Sequence, residues 1–146
     1  MCLKVATKKL TAKTDLLVFK CLDCYKDKRT YCTPFQYLPI KFDKDRKCVI
    51  KSGDNALTIE KEWNDNVHGL IDVINIGVHA YTTKEASERT ARQSPYCGTK
   101  TFYAVIPKGC PYYIGLDFEV VTTELIVFRS KKRFDEYTKE HEIKEL

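Results

Sequence analysis

The stretch from Phe118 to Arg129 reads FEVVTTELIVFR, and it is the longest strand candidate in the chain, with Thr122-Thr123 as the place where it could break. Two other runs share its character. Leu16-Leu17-Val18-Phe19 is continuous and apolar between Asp15 and Lys20, and Thr101 to Ile106 (TFYAVI) is closed by Pro107-Lys108-Gly109. Runs this short are strands rather than helices, and they are too apolar to face water on either side. They are therefore expected as central strands of one sheet, with Leu17, Phe19, Val105 and Ile126 largely buried.

The pattern extends outward from these runs. Val67 to Tyr81 (VHGLIDVINIGVHAY) is the most β-like of the rest, with Gly69 and Gly77 as turns or bulges. Residues 1–6 and Cys48-Val49-Ile50 are shorter strand candidates, Cys110 to Gly115 is a further turn-bounded piece, and Leu57 to Trp63 is ambiguous between a strand and a helical turn. Pro34 and Pro39 confine Tyr31 to Phe42 to loop, edge or irregular extended structure. Lys84 to Gln93 carries good helix formers, with Thr82 or Thr83 as N-cap, Glu85 in the first turn and Ser94-Pro95 as the stop. The tail 131–146 reads as a second helix, with Phe134, Tyr137 and His141 at helical steps. Asp135–Lys139 and Glu140–Lys144 would be favourable pairs, although Lys131, Lys132 and Arg133 at its start oppose the macrodipole. The sum is a single α+β domain over 1–146, a mainly antiparallel or mixed β-sheet with two short helices, one of them C-terminal.

Length and composition agree with one globular domain: 146 residues, 43% hydrophobic and 31% charged. No stretch approaches the roughly 18 consecutive apolar residues of a membrane span. The net charge is +5, but 19 of the 25 cations are Lys and they alternate with acids, so a mildly anion-attracting surface is expected and no specific nucleic-acid reader. The seven cysteines are an odd number, and Met1-Cys2-Leu3-Lys4 lacks the apolar region of a signal peptide. A reducing cytoplasm with free thiols follows as the expectation. Cys21-Leu22-Asp23-Cys24 is a CxxC placed where a strand runs into a polar turn. Zinc would need two more ligands from Cys32, Cys48 or His68, and nothing in the spacing demands it; ordinary thiols are the main reading.

The usual signatures of metalloproteases, P-loop enzymes, serine hydrolases and dinucleotide-binding proteins are missing. His79 alternates with Val78 and Ala80, so it faces solvent or accepts a core hydrogen bond, or it belongs to a site, including a Cys–His nucleophile that no local signature supports. Glu119 and Lys108 have plain readings as a surface residue and as turn decoration.

The order of pieces is more informative. A strand ends at Phe19-Lys20; Gly77-Val78-His79-Ala80-Tyr81-Thr82-Thr83 feeds the helix KEASERTARQ; TFYAVIPKG follows; FEVVTTELIVF, with Glu119 and Glu124, comes last. This resembles the layout of small ADP-ribosyltransferase-fold proteins over residues 15–129. The resemblance implies Tyr81, Thr82 or Thr83 at the middle-strand position and Glu119 or Glu124 at the late one. Lys20 stands where the family carries Arg or His. The MCL start, the TPFQ loop from Thr33 to Gln36, the GVHAYTT strand and the IPKG turn are also similar to uncharacterised small proteins of gut bacteria and their phages.

The resulting expectation is a small cytoplasmic protein, in the host cytoplasm if phage-encoded, that binds and sequesters a nucleotide-derived signal such as an ADP-ribose-like or cyclic nucleotide. It would use no cofactor and no metal. Lys20, His79, Tyr81, Thr82, Lys108 and Glu119 would line the ligand site, with Lys20, His79 and Lys108 holding phosphate. The alternatives are an ADP-ribosyltransferase-like enzyme acting on NAD through His79 or Lys20 with Glu119, and an inhibitor that binds a host protein without a ligand. Alkylation of the unfolded, unreduced protein should label all seven cysteines; two or more protected thiols in the mass spectrum would contradict the free-thiol reading.

Overall fold

The run Leu16–Phe19 is the middle of a ten-residue strand that is buried along nearly its whole length. The computed structural model describes residues 3–5, 7–24, 31–33, 39–93 and 99–146. In chain order its strands are β1 (Leu3–Lys4), β2 (Leu10–Thr11), β3 (Asp15–Cys24), β4 (Tyr31–Cys32), β5 (Pro39–Ile40), β6 (Lys47–Lys51), β7 (Glu60–Asn64), β8 (Gly69–Ile74) and β9 (Val78–Tyr81). After helix α1 (Lys84–Gln93) come β10 (Thr99–Ile106), β11 (Pro111–Ile114), β12 (Glu119–Thr122) and β13 (Glu124–Phe128), then helix α2 (Lys131–Thr138) and β14 (Ile143–Glu145). The polar turn after Cys24, residues 34–38 of the proline-containing loop, the Ser94-Pro95 helix stop, Cys2 and Cys97 lie outside the described residues.

The large sheet runs β2-β11-β12-β9-β3-β10-β13-β6, so the three apolar runs supply adjacent central strands. β12 and β13 are separated by Thr123 alone, yet β9, β3 and β10 stand between them in the sheet. The sheet must therefore curl, and residues 119–128 turn a corner at Thr123 so that one run serves both halves. The second corner lies between β9 and β3, which pair only at Tyr81 and Phe19. Leu16, Val18, Ala80, Ala104, Val120 and Leu125 point inward from both halves into one core.

The other face is covered in three places. The small sheet β1-β8-β7 lies over β11 and β12 through Leu3, Ile74, Tyr113 and Val121. Its first strand comes so close to Gly115 that a Cβ there would sit 2.5 Å from Leu3 Cγ. Helix α1 covers Cys21 and Tyr81 with Ala86, and its Ser87 hydroxyl meets that of Thr101 at 2.9 Å. The Thr83 hydroxyl caps it by accepting from the Ala86 N–H at 3.2 Å. Helix α2 covers Val105 and Phe128 with Phe134. Phe19 and Val105 are buried as expected, while Leu17 and Ile126 are half-buried beside α2.

Two expectations change. β3 does not stop at Lys20: it pairs with β10 as far as Thr99–Asp23, so the CxxC is part of the strand. Cys21 and Cys24 are an odd number of residues apart and point to opposite faces, which prevents them from chelating one ion together. The C-terminal helix covers 131–138, not 131–146. Ser130 caps it, its hydroxyl accepting from the Arg133 N–H at 3.3 Å, and its ion pairs are Lys131–Asp135 and Arg133–Glu136. Ile143–Glu145 then pairs parallel with Asp15–Leu17. β9 meets β3 only at Phe19, so the backbone edge at 15–17 needs another partner, and the tail supplies it. No helix among the described residues is long and apolar enough to cross a membrane.

The α2 contact rests on Phe134, whose ring stacks on Tyr103 at 5.0 Å and meets Phe128 at 5.5 Å. Phe134→Ala should lower the unfolding free energy by about 3 kcal/mol. Urea titration would read this as a lower midpoint with an unchanged slope.

Candidate functional site

Strands β9 and β12 pair in the register Tyr81–Glu119, Ala80–Val120 and His79–Val121. Alternation sends Val78, Ala80 and Val120 into the core and sets His79, Tyr81 and Glu119 on the outer face. That face is covered by α1 at Tyr81 and by the small sheet at Val121. His79 and Glu119 lie in the seam between the two covers, each half-buried and diagonal to the other across the strand pair. A diagonal pair of this kind is separated by about 7–8 Å.

Lys20 approaches from the inner face. It is 7% exposed, and its ammonium donates to the His79 carbonyl at 2.6 Å. This carbonyl lies just beyond the single β9–β3 pair, where the strands splay and the ladder leaves it without a strand partner. Burial pulls the Lys20 amine down to about 8, with Cys21 opposing. Burial, reinforced by the Lys20 charge, pulls the His79 imidazole down to about 4, opposed in part by the Asn75 backbone. The ring is therefore neutral at physiological pH. Both of its nitrogens are shielded from water, and the Asn75 backbone approaches the ring without reaching good hydrogen-bond geometry. A buried ring nitrogen without a well-formed hydrogen bond costs about 1–3 kcal/mol. Burial and then Asp117 push the Glu119 carboxyl up, with Lys4 opposing. The Tyr81 phenol is raised by burial, which its bond to Thr90 opposes.

The seam ends at the turn joining β11 to β12, where Asp117 and Phe118 have φ of 58° and 63°. Left-handed backbone at a bulky residue costs about 1–3 kcal/mol and collects at functional sites. Phe118 is nonetheless 56% exposed, and its carbonyl accepts from the Thr82 N–H at 2.8 Å. An aromatic ring is thus held in water beside Thr82 and Glu119. Sequence reasoning missed Phe118, because it reads as the first residue of a strand. Neither of the two successive left-handed residues is a glycine or an asparagine, so Phe118 carries no local sign of its conformation.

His79, Tyr81, Thr82 and Glu119 therefore come together, while Lys20 reaches the group only through the His79 backbone. Lys108 does not join them. It is exposed in the turn after β10, where its backbone N–H donates to Asp15 Oδ1 at 2.8 Å. Asp15 is four residues along β3 from Phe19, on the order of 13 Å away. Glu124 lies past the Thr123 corner, within 4.0 Å of Cys110 Sγ. Among the described residues no three His, Cys, Asp or Glu side chains converge on a possible metal position. Compared with known proteins, the chain matches no family model, no curated sequence and no solved structure.

The His79 shift sets a pH dependence. The folded state holds the imidazole at about 4 against an ordinary 6.5, so protonation favours unfolding. The stability tied to the neutral ring is complete above pH 6.5 and drains away as pH falls to about 4. That stability is of order 3 kcal/mol. Denaturant midpoints measured across this window should fall for the native protein and fall less for His79→Gln; identical slopes would show that His79 is not the titrating group.

Proposed function

We propose that the chain is a binding protein for a small ligand that joins an aromatic base to an anionic group, of the ADP-ribose-like or cyclic-nucleotide class. It would hold such a signal by sequestration. The observation that carries this reading is Phe118, an exposed ring kept on strained backbone beside Thr82 and Glu119. A base stacked on such a ring gains about 1–3 kcal/mol. Lys4, close enough to act on the Glu119 carboxyl, is the nearer cation for a phosphate. Lys20 is engaged by a backbone carbonyl, and Lys108 is remote. A phage-encoded protein with this capacity would deprive a host of a nucleotide signal.

A second reading keeps the enzyme. Tyr81 and Glu119, the middle-strand and late-strand residues of the ADP-ribosyltransferase resemblance, are direct cross-strand partners. An active site would then consume NAD through Glu119, with Lys20 or His79 in place of the family's first residue.

Calorimetry against ADP-ribose and cyclic nucleotides, run beside an NAD-consumption assay, separates the two. Binding without NAD loss is expected. Phe118→Gly should weaken that binding about tenfold, a loss of 1.4 kcal/mol, without lowering stability, since glycine relieves the left-handed strain. No heat with any nucleotide would overturn the binding reading and favour an inhibitor of a host protein. NAD loss abolished by Glu119→Gln would establish the enzyme.

A further inference from the structure

The β7–β8 hairpin projects three exposed apolar side chains. Trp63, the only tryptophan of the chain, is 60% exposed and stands directly opposite Leu70, which is 64% exposed. Val67 is exposed in the turn between them. The indole is fixed in this position, because its N–H donates to Asp65 Oδ1 at 2.8 Å. The turn is fixed as well: Asn64 Oδ1 accepts from the Asn66 and Val67 N–H groups at 2.9 and 3.3 Å. A pre-organised apolar tip loses little conformational freedom on docking.

Charge indicates what covers it. Residues 60–74 carry Glu60, Glu62, Asp65 and Asp72 against Lys61 alone, a net charge of −3 in a chain of net charge +5. The opposite charge is found on the same molecule. Residues 41–51 hold five cations and two carboxylates, a net charge of +3, and end in β6, an edge strand of the large sheet. On β6 the even residues face β13, as the bonds Arg129 N–H to Arg46 O and Ser52 N–H to Thr123 O show. Val49 and Lys51 consequently turn their backbone groups away from the sheet, and the Val49 side chain is exposed. β7 is likewise the edge of its own sheet.

Lysines on an edge strand normally prevent pairing between copies. Here Lys47 and Lys51 oppose β6 against β6, and Glu60 and Glu62 oppose β7 against β7. Only the mixed pair is attractive. An antiparallel register with Lys51 opposite Glu60 places Glu62 between Lys47 and Lys51 and Trp63 opposite Cys48. Within one molecule the two edges belong to different sheets and do not pair.

We propose that a second copy of this chain is the occupant, with β7 of one copy adding to β6 of the other. Made reciprocally, the two contacts close a dimer. Trp63 reports on it without a label. Light scattering at low salt should show the mass rising with concentration from 17.0 kDa towards twice that value, with the tryptophan emission moving to the blue. At about 1 M salt, where the Debye length is about 3 Å, the monomer and the red emission should return. The double variants Glu60→Lys/Glu62→Lys and Lys47→Glu/Lys51→Glu should each remain monomeric, and mixing the two should restore the dimer. A single 17.0 kDa species at every concentration in low salt overturns the proposal. So does association that survives both charge reversals.

Discussion

Every backbone N–H and C=O of β3 must find a partner where side chains exclude water from both faces, and this constraint organises the molecule. One edge of the strand is met by β10 from Ile106 to Thr99. The other is shared in turn by β14 at 15–17, β9 at Phe19 and β4 at 23–24. Where β9 turns away, a carbonyl would be left facing the interior, and the Lys20 ammonium meets it. A buried cation is thus part of the sheet's own hydrogen bonding. Its field reaches His79 and helps to keep that imidazole neutral.

The same splaying of strands creates the candidate site. At a flat junction β9 would lie along β3, and one layer could cover the outer face without interruption. Because the sheet turns a corner there, α1 and the small sheet each cover one side and leave a seam between them. His79 and Glu119 lie in that seam, with polar groups that the fold itself leaves only partly satisfied or partly hydrated.

Much of the fold was legible in the chain. Continuous apolar runs marked β3, β10 and β13, the Thr122-Thr123 pair marked the corner, and a threonine before Lys84 marked the helix cap. The resemblance to the ADP-ribosyltransferase layout, not periodicity, supplied Tyr81 and Glu119 as candidates; parity explains why they share a face with His79. What failed depended on distant partners. The tail's helical spacing is real in 131–138, but the open edge at 15–17, more than a hundred residues earlier, draws the last residues into a strand. Lys20 looked like the polar end of an apolar run because nothing local reveals a carbonyl 59 residues away. Lys108 looked like a ligand because its turn follows a core strand, and only the register shows at which end of the sheet that turn lies.

The pairing of β14 with β3 also bears on how the chain is made. During synthesis Asp15–Leu17 emerges early, and its partners at 143–145 emerge more than a hundred residues later. β10, the strand that covers the other edge, is also late. Until both arrive, this strand, buried along nearly its whole length in the finished fold, has two open edges, a state that invites pairing with other chains. Contacts so distant in sequence make for slow folding. Completion of the sheet therefore waits for residues 143–145, and a nascent or truncated form lacking them would expose β3 to chaperones and proteases.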